Sequence, residues 1–260
     1  MAGIAVIVFG AGSSGPGLSI SAATAHAYGL AGAWVACVDR NRGEAERVAK
    51  EILAEGGKAM ALKADVTDEA EVARAVARVA DNWGSPEILH NNVGLALRGT
   101  VLDLARDDWD AAMAVNLTSC YLTVRHVLPR MLERGKGAIV NVSSLSSIRA
   151  TGYVYPAYSA AKAGVNQLTV SLALTYAEHG IRANAVVPGL INTPLVARQL
   201  VDDPAGLETE LAARDARSPT GRMGSPWDVA NAAVFLASDR ASYINGVCLP
   251  VDGGLAARTG

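Results

Sequence analysis

Ile4-Ala5-Val6-Ile7-Val8-Phe9-Gly10-Ala11-Gly12-Ser13-Ser14-Gly15-Pro16-Gly17 is the stretch whose reading decides the fold. Ile4–Phe9 is short, apolar and rich in β-branched residues, so it reads as a buried strand. It runs straight into a glycine loop, and a helix-like segment follows. Glycines let a backbone approach a pyrophosphate, and the amino end of a helix attracts its charge. A glycine loop alone is also an ordinary turn. The second feature is Asp39, at the end of the next apolar run, where a carboxylate can accept hydrogen bonds from the adenosine ribose. Together they predict a bound dinucleotide. The same carboxylate would repel the extra phosphate of NADP. Arg40 offers a cation, but no basic residue in the glycine loop assists it. NAD is therefore favoured over NADP.

Working outward, short β-branched runs alternate with helical stretches. Ile4–Phe9, Ala33–Val38, Ala59–Lys63, Ile88–Asn91, Ala138–Val142, Arg182–Val187 and Gly246–Val251 read as strands. Arg42–Ala54 and Glu69–Asn82 are the clearest helices. In the second, Val72, Val76 and Val79 repeat at helical spacing beside a Glu/Arg face. Thr67-Asp68 supplies its capping start, with Glu71 three residues after Asp68. This alternation predicts one α/β domain over residues 1–260: a doubly wound Rossmann-type fold with a seven-stranded, mostly parallel sheet and helices on both faces. Ligands then gather at the carboxyl ends of the strands.

The 260 residues are half hydrophobic and carry a formal net charge of −2. That balance argues against a nucleic-acid partner, which would want a basic face. The first nine residues are too short for a membrane span and lack a basic leader, so neither a membrane anchor nor a signal peptide is expected. Cys37, Cys120 and Cys248 are far apart, and no Cys/His spacing suggests a metal. Unpaired cysteines fit a reducing compartment, and a cytoplasmic location is expected.

Tyr158-Ser159-Ala160-Ala161-Lys162 places a phenol and an ammonium at i and i+4, on one face of a helix. A nearby cation lowers a phenol's pKa from its free value of about 10. The tyrosine could then exchange a proton near neutral pH while hydride moves elsewhere. Upstream, the strand Ala138–Val142 ends in Ser143-Ser144, whose hydroxyls could hold a carbonyl oxygen.

With these motifs in order, the chain resembles the short-chain dehydrogenase/reductase family in its common form of about 250 residues, over nearly its whole length. Asp65-Val66 matches the pair that holds adenine. Asn91-Asn92-Val93-Gly94 is similar to the turn after the fourth strand, and Asn116 to a helical Asn that binds a proton-relay water. Pro188 to Thr193 resembles the segment that contacts the nicotinamide carboxamide. The resemblance implies catalytic roles for Asn116, Ser144, Tyr158 and Lys162. Ser144 orients the substrate oxygen, Tyr158 is the acid/base, Lys162 lowers its pKa and binds ribose, and Asn116 supports a water chain. It implies cofactor contacts at Gly10, Gly12, Ser14, Ser19, Ile20, Asp39, Asp65, Val66, Asn92, Gly94, Tyr158, Lys162, Ile191 and Thr193. The implied reaction moves hydride between NAD(H) and a small secondary alcohol or ketone.

Four departures from the family pattern stand out. Phe9 replaces a Thr, and Val93 replaces an Ala. The spacing from Ser144 to Tyr158 is one residue longer than usual, which leaves Ser143 as a competitor for Ser144. The glycine loop is expanded, and the preferred register puts Ser19-Ile20-Ser21 where Gly-x-Gly is usual. An alternative is the divergent enoyl-thioester reductase branch, since Tyr155 lies seven residues before Lys162 and Ser19-Ile20-Ser21 resembles that branch's loop. A non-catalytic dinucleotide sensor is a second alternative, weakened by the intact Tyr and Lys. Tyr155 precedes Pro156, which pushes it toward extended geometry outside the helix. Residues 190–217 are expected to form a substrate lid. The resemblance implies a homotetramer, with a dimer as fallback, paired through the helices that carry Asn116 and Tyr158, on which Leu117, Tyr121, Val124, Leu168 and Leu172 offer apolar positions.

Overall fold

In the computed structural model, residues 1–13, 17–194 and 206–258 are described. Their seven strands form one sheet in the order β3-β2-β1-β4-β5-β6-β7. In chain order the strands are β1 (Ala5–Phe9), β2 (Trp34–Asp39), β3 (Lys58–Lys63), β4 (Ile88–Asn91), β5 (Gly137–Val142), β6 (Ile181–Pro188) and β7 (Cys248–Val251). Each neighbouring pair is parallel, so the sheet is wholly rather than mostly so.

Parallel strands need crossovers, and helices supply them. These are α1 (Ile20–Leu30), α2 (Arg42–Ala54), α3 (Glu69–Trp83), α4 (Arg106–Met113), α5 (Ser119–Arg134), α6 (Pro156–Tyr176), α7 (Leu207–Arg217) and α8 (Pro226–Ala237). Alternate residues of β1 serve opposite faces of the sheet. Val6 and Val8 pack with Tyr28 of α1, Val48 of α2 and Leu236 of α8. Ala5, Ile7 and Phe9 pack with Val76 of α3, Val127 of α5 and Leu172 of α6. Phe9 is fully buried there, so the aromatic that departs from the family pattern is a core residue.

The chain reverses its winding between β1 and β4, which are neighbours in the sheet. Gly10, Asp39, Asn92 and Ser143 all fall at or just beyond strand carboxyl ends on this side. The α3 start differs from expectation in one bond. Asp68 accepts the Glu71 N–H (2.9 Å) as an N-cap should. The Glu71 carboxylate, however, reaches past Asp68 to accept the Asp65 N–H at 2.7 Å. It therefore braces the loop after β3 instead of closing a reciprocal box.

Val124 and Leu172, expected on an assembly surface, belong to the monomer's own core. Tyr121 is 48% exposed, while Leu117 and Leu168 are half-buried. Among the described residues no helix is long and apolar enough to cross a membrane.

Candidate active site

The glycine loop is folded back on β2. Gly10 and Ala11 both donate their N–H groups to the Val38 carbonyl, at 2.8 and 3.0 Å. Gly10 has φ +80°, and a Cβ there would stand 2.8 Å from Val93 Cγ2. Only glycine serves at that position, because the extra methyls of Val93 fill the space a side chain would take. Gly12 is equally confined: a Cβ would lie 2.8 Å from both Asp39 Oδ2 and Glu44 Cβ. Both glycines therefore let the loop lie close against the β4 turn and against Asp39 and Glu44, with its N–H groups bonded within the protein.

Helix α1 begins at Ile20 with Ser19 as its N-cap, the Ser19 hydroxyl accepting the Ala22 N–H at 3.0 Å. The helix start thus falls in the preferred register, after an expanded loop. Ser19 and Ser21, in place of glycines, donate their hydroxyls to the Gly12 carbonyl at 3.0 and 3.2 Å. They tie the loop to the helix that follows. Ser14 lies outside the described residues.

Asp39 ends β2 and accepts the Gly12 N–H (3.0 Å) and the Asn41 N–H (2.8 Å). Sequence reasoning missed its companion. Glu44, in the first turn of α2, accepts the Ser13 N–H at 3.1 Å and pairs with Arg47. An acidic residue in a first helical turn beside Asp39 was the available signal. An open cleft of about 760 Å³ continues outward, lined by Arg40, Arg42, Lys63 and Asp65 among others. Asp65 accepts the backbone and hydroxyl donors of Thr67 at 2.8 and 2.6 Å. Those bonds, with Arg40 and Lys63 nearby, hold its carboxyl below the usual range. Val66 is buried beside it.

At the switch point, Asn92 donates its N–H to the Phe9 carbonyl (3.1 Å). Gly94 lies beneath the reactive groups: a Cβ on it would be 3.4 Å from Asn116 Oδ1, 3.8 Å from Lys162 Nζ and 4.0 Å from Tyr158 Cε2. The turn after β4 thus brings three of the four expected catalytic side chains around one bare glycine. Asn116 sits in a π-helical turn, Ala114–Thr118, between α4 and α5. It is fully buried, accepts the Leu95 N–H (3.1 Å) and donates to the Leu95 and Ala112 carbonyls (both 2.8 Å). Such extra-residue turns recur at functional sites.

Ser144 and Ser143 are separated by their partners. The Ser143 hydroxyl is buried and donates to the Lys162 carbonyl at 3.1 Å. Ser144 is extended (φ −161°), its hydroxyl accepts the Ser146 N–H (3.3 Å) and hydroxyl (3.0 Å), and it lies on the Tyr158 side, near enough to act on the phenol. Tyr158 and Lys162 lie one turn apart on α6, which starts at Pro156 with Tyr155 outside it (φ −136°, ψ 64°). The Tyr155 ring meets the Tyr158 ring edge-on at 6.0 Å.

The expected effect of Lys162 on Tyr158 is not what this structure shows. Burial pushes the Tyr158 phenol upward, and the nearby Ser144 hydroxyl pulls it only partly back. Lys162 is 3% exposed and donates to the carbonyls of Val142 (2.8 Å) and Val93 (3.3 Å), its Nζ 5.7 Å from the Tyr158 ring centre. Burial lowers its own pKa. Two of the three ammonium donors go to backbone, and the net shift of the phenol is upward, with burial its largest cause.

A buried polar chain under the site was not legible in advance. Thr123 of α5 donates to Asn91 (2.8 Å), Asn91 to Asn141 (2.9 Å), and Asn141 to Thr169 of α6 (2.9 Å). All four residues are at most 4% exposed. On the far side, Ile191 is buried and pairs with Gly224, and Thr193 is half-buried just before residues 195–205, which lie outside the described part of the expected lid.

Comparison with known proteins gives this arrangement its relatives. A family model described as enoyl-(acyl carrier protein) reductase matches residues 15–256. The chain is 38% identical to 2-(S)-hydroxypropyl-CoM dehydrogenase 3 of Xanthobacter autotrophicus, over 97% of this chain and 96% of that protein. It is 42% identical to cis-4-hydroxycyclohexanecarboxylate dehydrogenase of Sinomonas cyclohexanicum, over 94% and 95%. Among solved structures, a gluconate 5-dehydrogenase from Burkholderia cenocepacia J2315 in complex with NADP and tartrate aligns with a TM-score of 0.88 at 33% identity, covering 100% of this chain and 97% of that one. With this fold, this ordered set of loops and relatives of this identity, the chain belongs to the short-chain dehydrogenase/reductase family.

Proposed function

We propose that this protein is an NAD(H)-linked dehydrogenase of a small secondary alcohol, or reductase of the matching ketone, working through Ser144, Tyr158, Lys162 and Asn116. The observation that carries the reading is the gathering of Asn116 Oδ1, Lys162 Nζ and the Tyr158 ring around Gly94, with Lys162 one helical turn from Tyr158 and Ser144 near the phenol. When bound, NAD supplies the hydride acceptor. Gly10, Gly12, Ser19 and Ile20 would receive its pyrophosphate, Asp39 its adenosine ribose, and Asp65 with Val66 its adenine. Asn92, Gly94, Ile191 and Thr193 would flank its nicotinamide end.

In oxidation, the substrate hydroxyl sits between Ser144 and Tyr158. Ser144 donates to the substrate oxygen and holds it. With Tyr158 ionised, the hydroxyl proton passes to its phenolate Oη as the carbon–hydrogen bond breaks and the hydride leaves to bound NAD. In reduction, Tyr158 returns that proton to the new alkoxide. Lys162 has three N–H donors and uses two on the Val142 and Val93 carbonyls, which leaves one for a ribose hydroxyl or for Tyr158. Asn116, locked to Leu95 on both its oxygen and nitrogen, leads onward to water for proton exchange.

NAD is favoured because two carboxylates, Asp39 and Glu44, face the glycine loop. The cations Arg40, Arg42 and Lys63 line only the outer cleft. The unpaired cysteines, two of them buried, suit a reducing cytoplasm. A homotetramer is the assembly we infer, with Tyr121 on its contact; a monomer by light scattering at micromolar concentration would exclude it.

A second reading, enoyl-thioester reduction, draws on the description of the matching family model and on Tyr155, whose ring touches that of Tyr158. Two variants separate the readings. Tyr158→Phe should abolish ketone turnover while NADH still binds, and Tyr155→Phe should change mainly KM. An active Tyr158→Phe with a dead Tyr155→Phe, assayed on ketones and enoyl thioesters, would transfer the site to the enoyl reading.

A further inference from the structure

Three arginines gather around one aromatic ring beside the site. The guanidinium carbons of Arg98, Arg214 and Arg217 lie 5.3, 5.7 and 5.4 Å from the centre of the Tyr153 ring. They come from different parts of the chain: Arg98 from the loop after β4, the other two from α7. The Tyr153 ring packs on Tyr155 at 5.7 Å, and Tyr155 packs on Tyr158 at 6.0 Å. The cluster therefore stands two ring contacts from the reacting phenol.

Its charge is poorly balanced. Among the described residues no carboxylate forms an ion pair with any of the three arginines. Glu210 accepts the Tyr153 hydroxyl at 2.9 Å. Arg214 is only 7% exposed. A guanidinium has five N–H donors. Arg214 gives Nε to the weakly accepting sulfur of Met223 (3.3 Å) and Nη1 to the Tyr153 hydroxyl (2.8 Å). Its remaining donors have no protein acceptor among the described residues. Arg217 donates to the Thr151 carbonyl. Tethering of the 151–153 loop explains one donor of each side chain, but not why like charges converge. A buried cation whose counter-charge, Glu210, is reached only through the Tyr153 hydroxyl is costly, and an aromatic face offsets only part of that cost.

From this we infer that the substrate is an anion: Arg214, with Arg217 and Arg98 around Tyr153, receives a carboxylate or sulfonate on the tail of the alcohol oxidised at Tyr158. The planar fork of arginine donors suits both groups. The inference rests on the dehydrogenase reading above and names its substrate class.

The test compares ketones with and without the anionic group: 5-oxohexanoate and 4-oxocyclohexanecarboxylate against their methyl esters, and 5-oxohexane-1-sulfonate against hexan-2-one, which lacks the sulfonate. Turnover with NADH and calorimetric binding to the protein–NADH complex are both measured. The anion should be preferred in kcat/KM by about 10- to 100-fold, as for hydrogen bonds to charged groups. Comparing the carboxylates with the sulfonate then decides which anion the site takes. Arg214→Met should collapse the acid/ester ratio, chiefly through KM, and Arg214→Lys should restore part of it. Arg98→Gln, at an exposed position, should lower the ratio without risk to the fold. Turnover of ketones with no preference for the anion overturns the inference and leaves the dehydrogenase reading standing. Variants that lower acid and ester equally overturn it too, because a loop tether would do that. Discriminating binding with no turnover of any ketone overturns the reaction and keeps the anion site; neither binding preference nor turnover overturns both.

Discussion

Asn141→Ala strikes the buried polar chain beneath the site, and its cost follows from the bonds in that chain. Asn141 is fully buried on β5, accepts from Asn91 Nδ2 (2.9 Å) and donates to Thr169 Oγ1 (2.9 Å). The bond to Thr169 is worth about 1 kcal/mol net. Losing the acceptor strands the Asn91 donor at 4% exposure, which costs about 1–3 kcal/mol more. The variant should therefore be less stable by about 2–4 kcal/mol. For a chain of this length that lowers Tm by about 5–15 °C. Urea unfolding at one protein concentration, without cofactor, measures it, because bound cofactor or assembly would mask the change. A cycle with Asn91→Ala should show coupling of about 1 kcal/mol, since the double variant leaves no stranded donor. Turnover should fall as well, because the chain joins α5 to α6, the helix that carries Tyr158 and Lys162. A loss below about 0.5 kcal/mol, or additivity within that margin, would refute the reasoning.

Further outcomes follow from the site. Asp39→Asn keeps one acceptor oxygen for the Gly12 and Asn41 N–H groups but removes the charge; at about 4 Å that charge is worth about 1–4 kcal/mol against a phosphate, so preference should move toward NADP by about 5- to 1000-fold. Fluorescence titration with NADH and NADPH reads the shift, and an unchanged ratio refutes it. Because burial raises the Tyr158 pKa, its protonated form prevails at neutral pH; reduction should hold steady there, and alcohol oxidation should climb with pH into the alkaline range. An oxidation profile flat from about pH 6 to 10 would contradict this. Burial pushes the Cys37 thiol up to about 12 and raises Cys120 as well, while Cys248 is only half-buried. Titration of the native protein with dithionitrobenzoate should modify Cys248 alone, and all three after unfolding; a fast-reacting Cys37 or Cys120 would count against the packing described.

The sheet and its switch point were readable from periodicity, because parallel strands buried on both faces must be continuous apolar runs and their crossovers must be helices. Ile88–Asn91 and Arg42–Ala54 match their expected bounds residue for residue. The position of Tyr155 outside α6 was also local information, carried by the proline that follows it. The register that reads Ser19-Ile20-Ser21 in place of Gly-x-Gly coincides with the start of α1 at Ile20, capped by Ser19.

What only the tertiary structure decided were relations between distant side chains. Telling two adjacent serines apart needed their surroundings: Ser143 is buried and committed to the Lys162 carbonyl, while Ser144 lies on the Tyr158 side. The cation's effect on Tyr158 could not be judged from i to i+4 spacing, because spacing does not say that two carbonyls from β5 and the β4 turn claim the ammonium first. Val124 and Leu172 looked like surface for assembly, since an apolar residue on a helix reads alike whether it faces a partner or the chain's own core. The arginine cluster had the same character. Arg98 and Arg214 are more than a hundred residues apart, and only the fold puts their charges around one ring. Periodicity and turn chemistry are properties of neighbours along the chain. Charge balance, desolvation and hydrogen-bond partnership depend on which segments meet, and those quantities exist only once the sheet has closed.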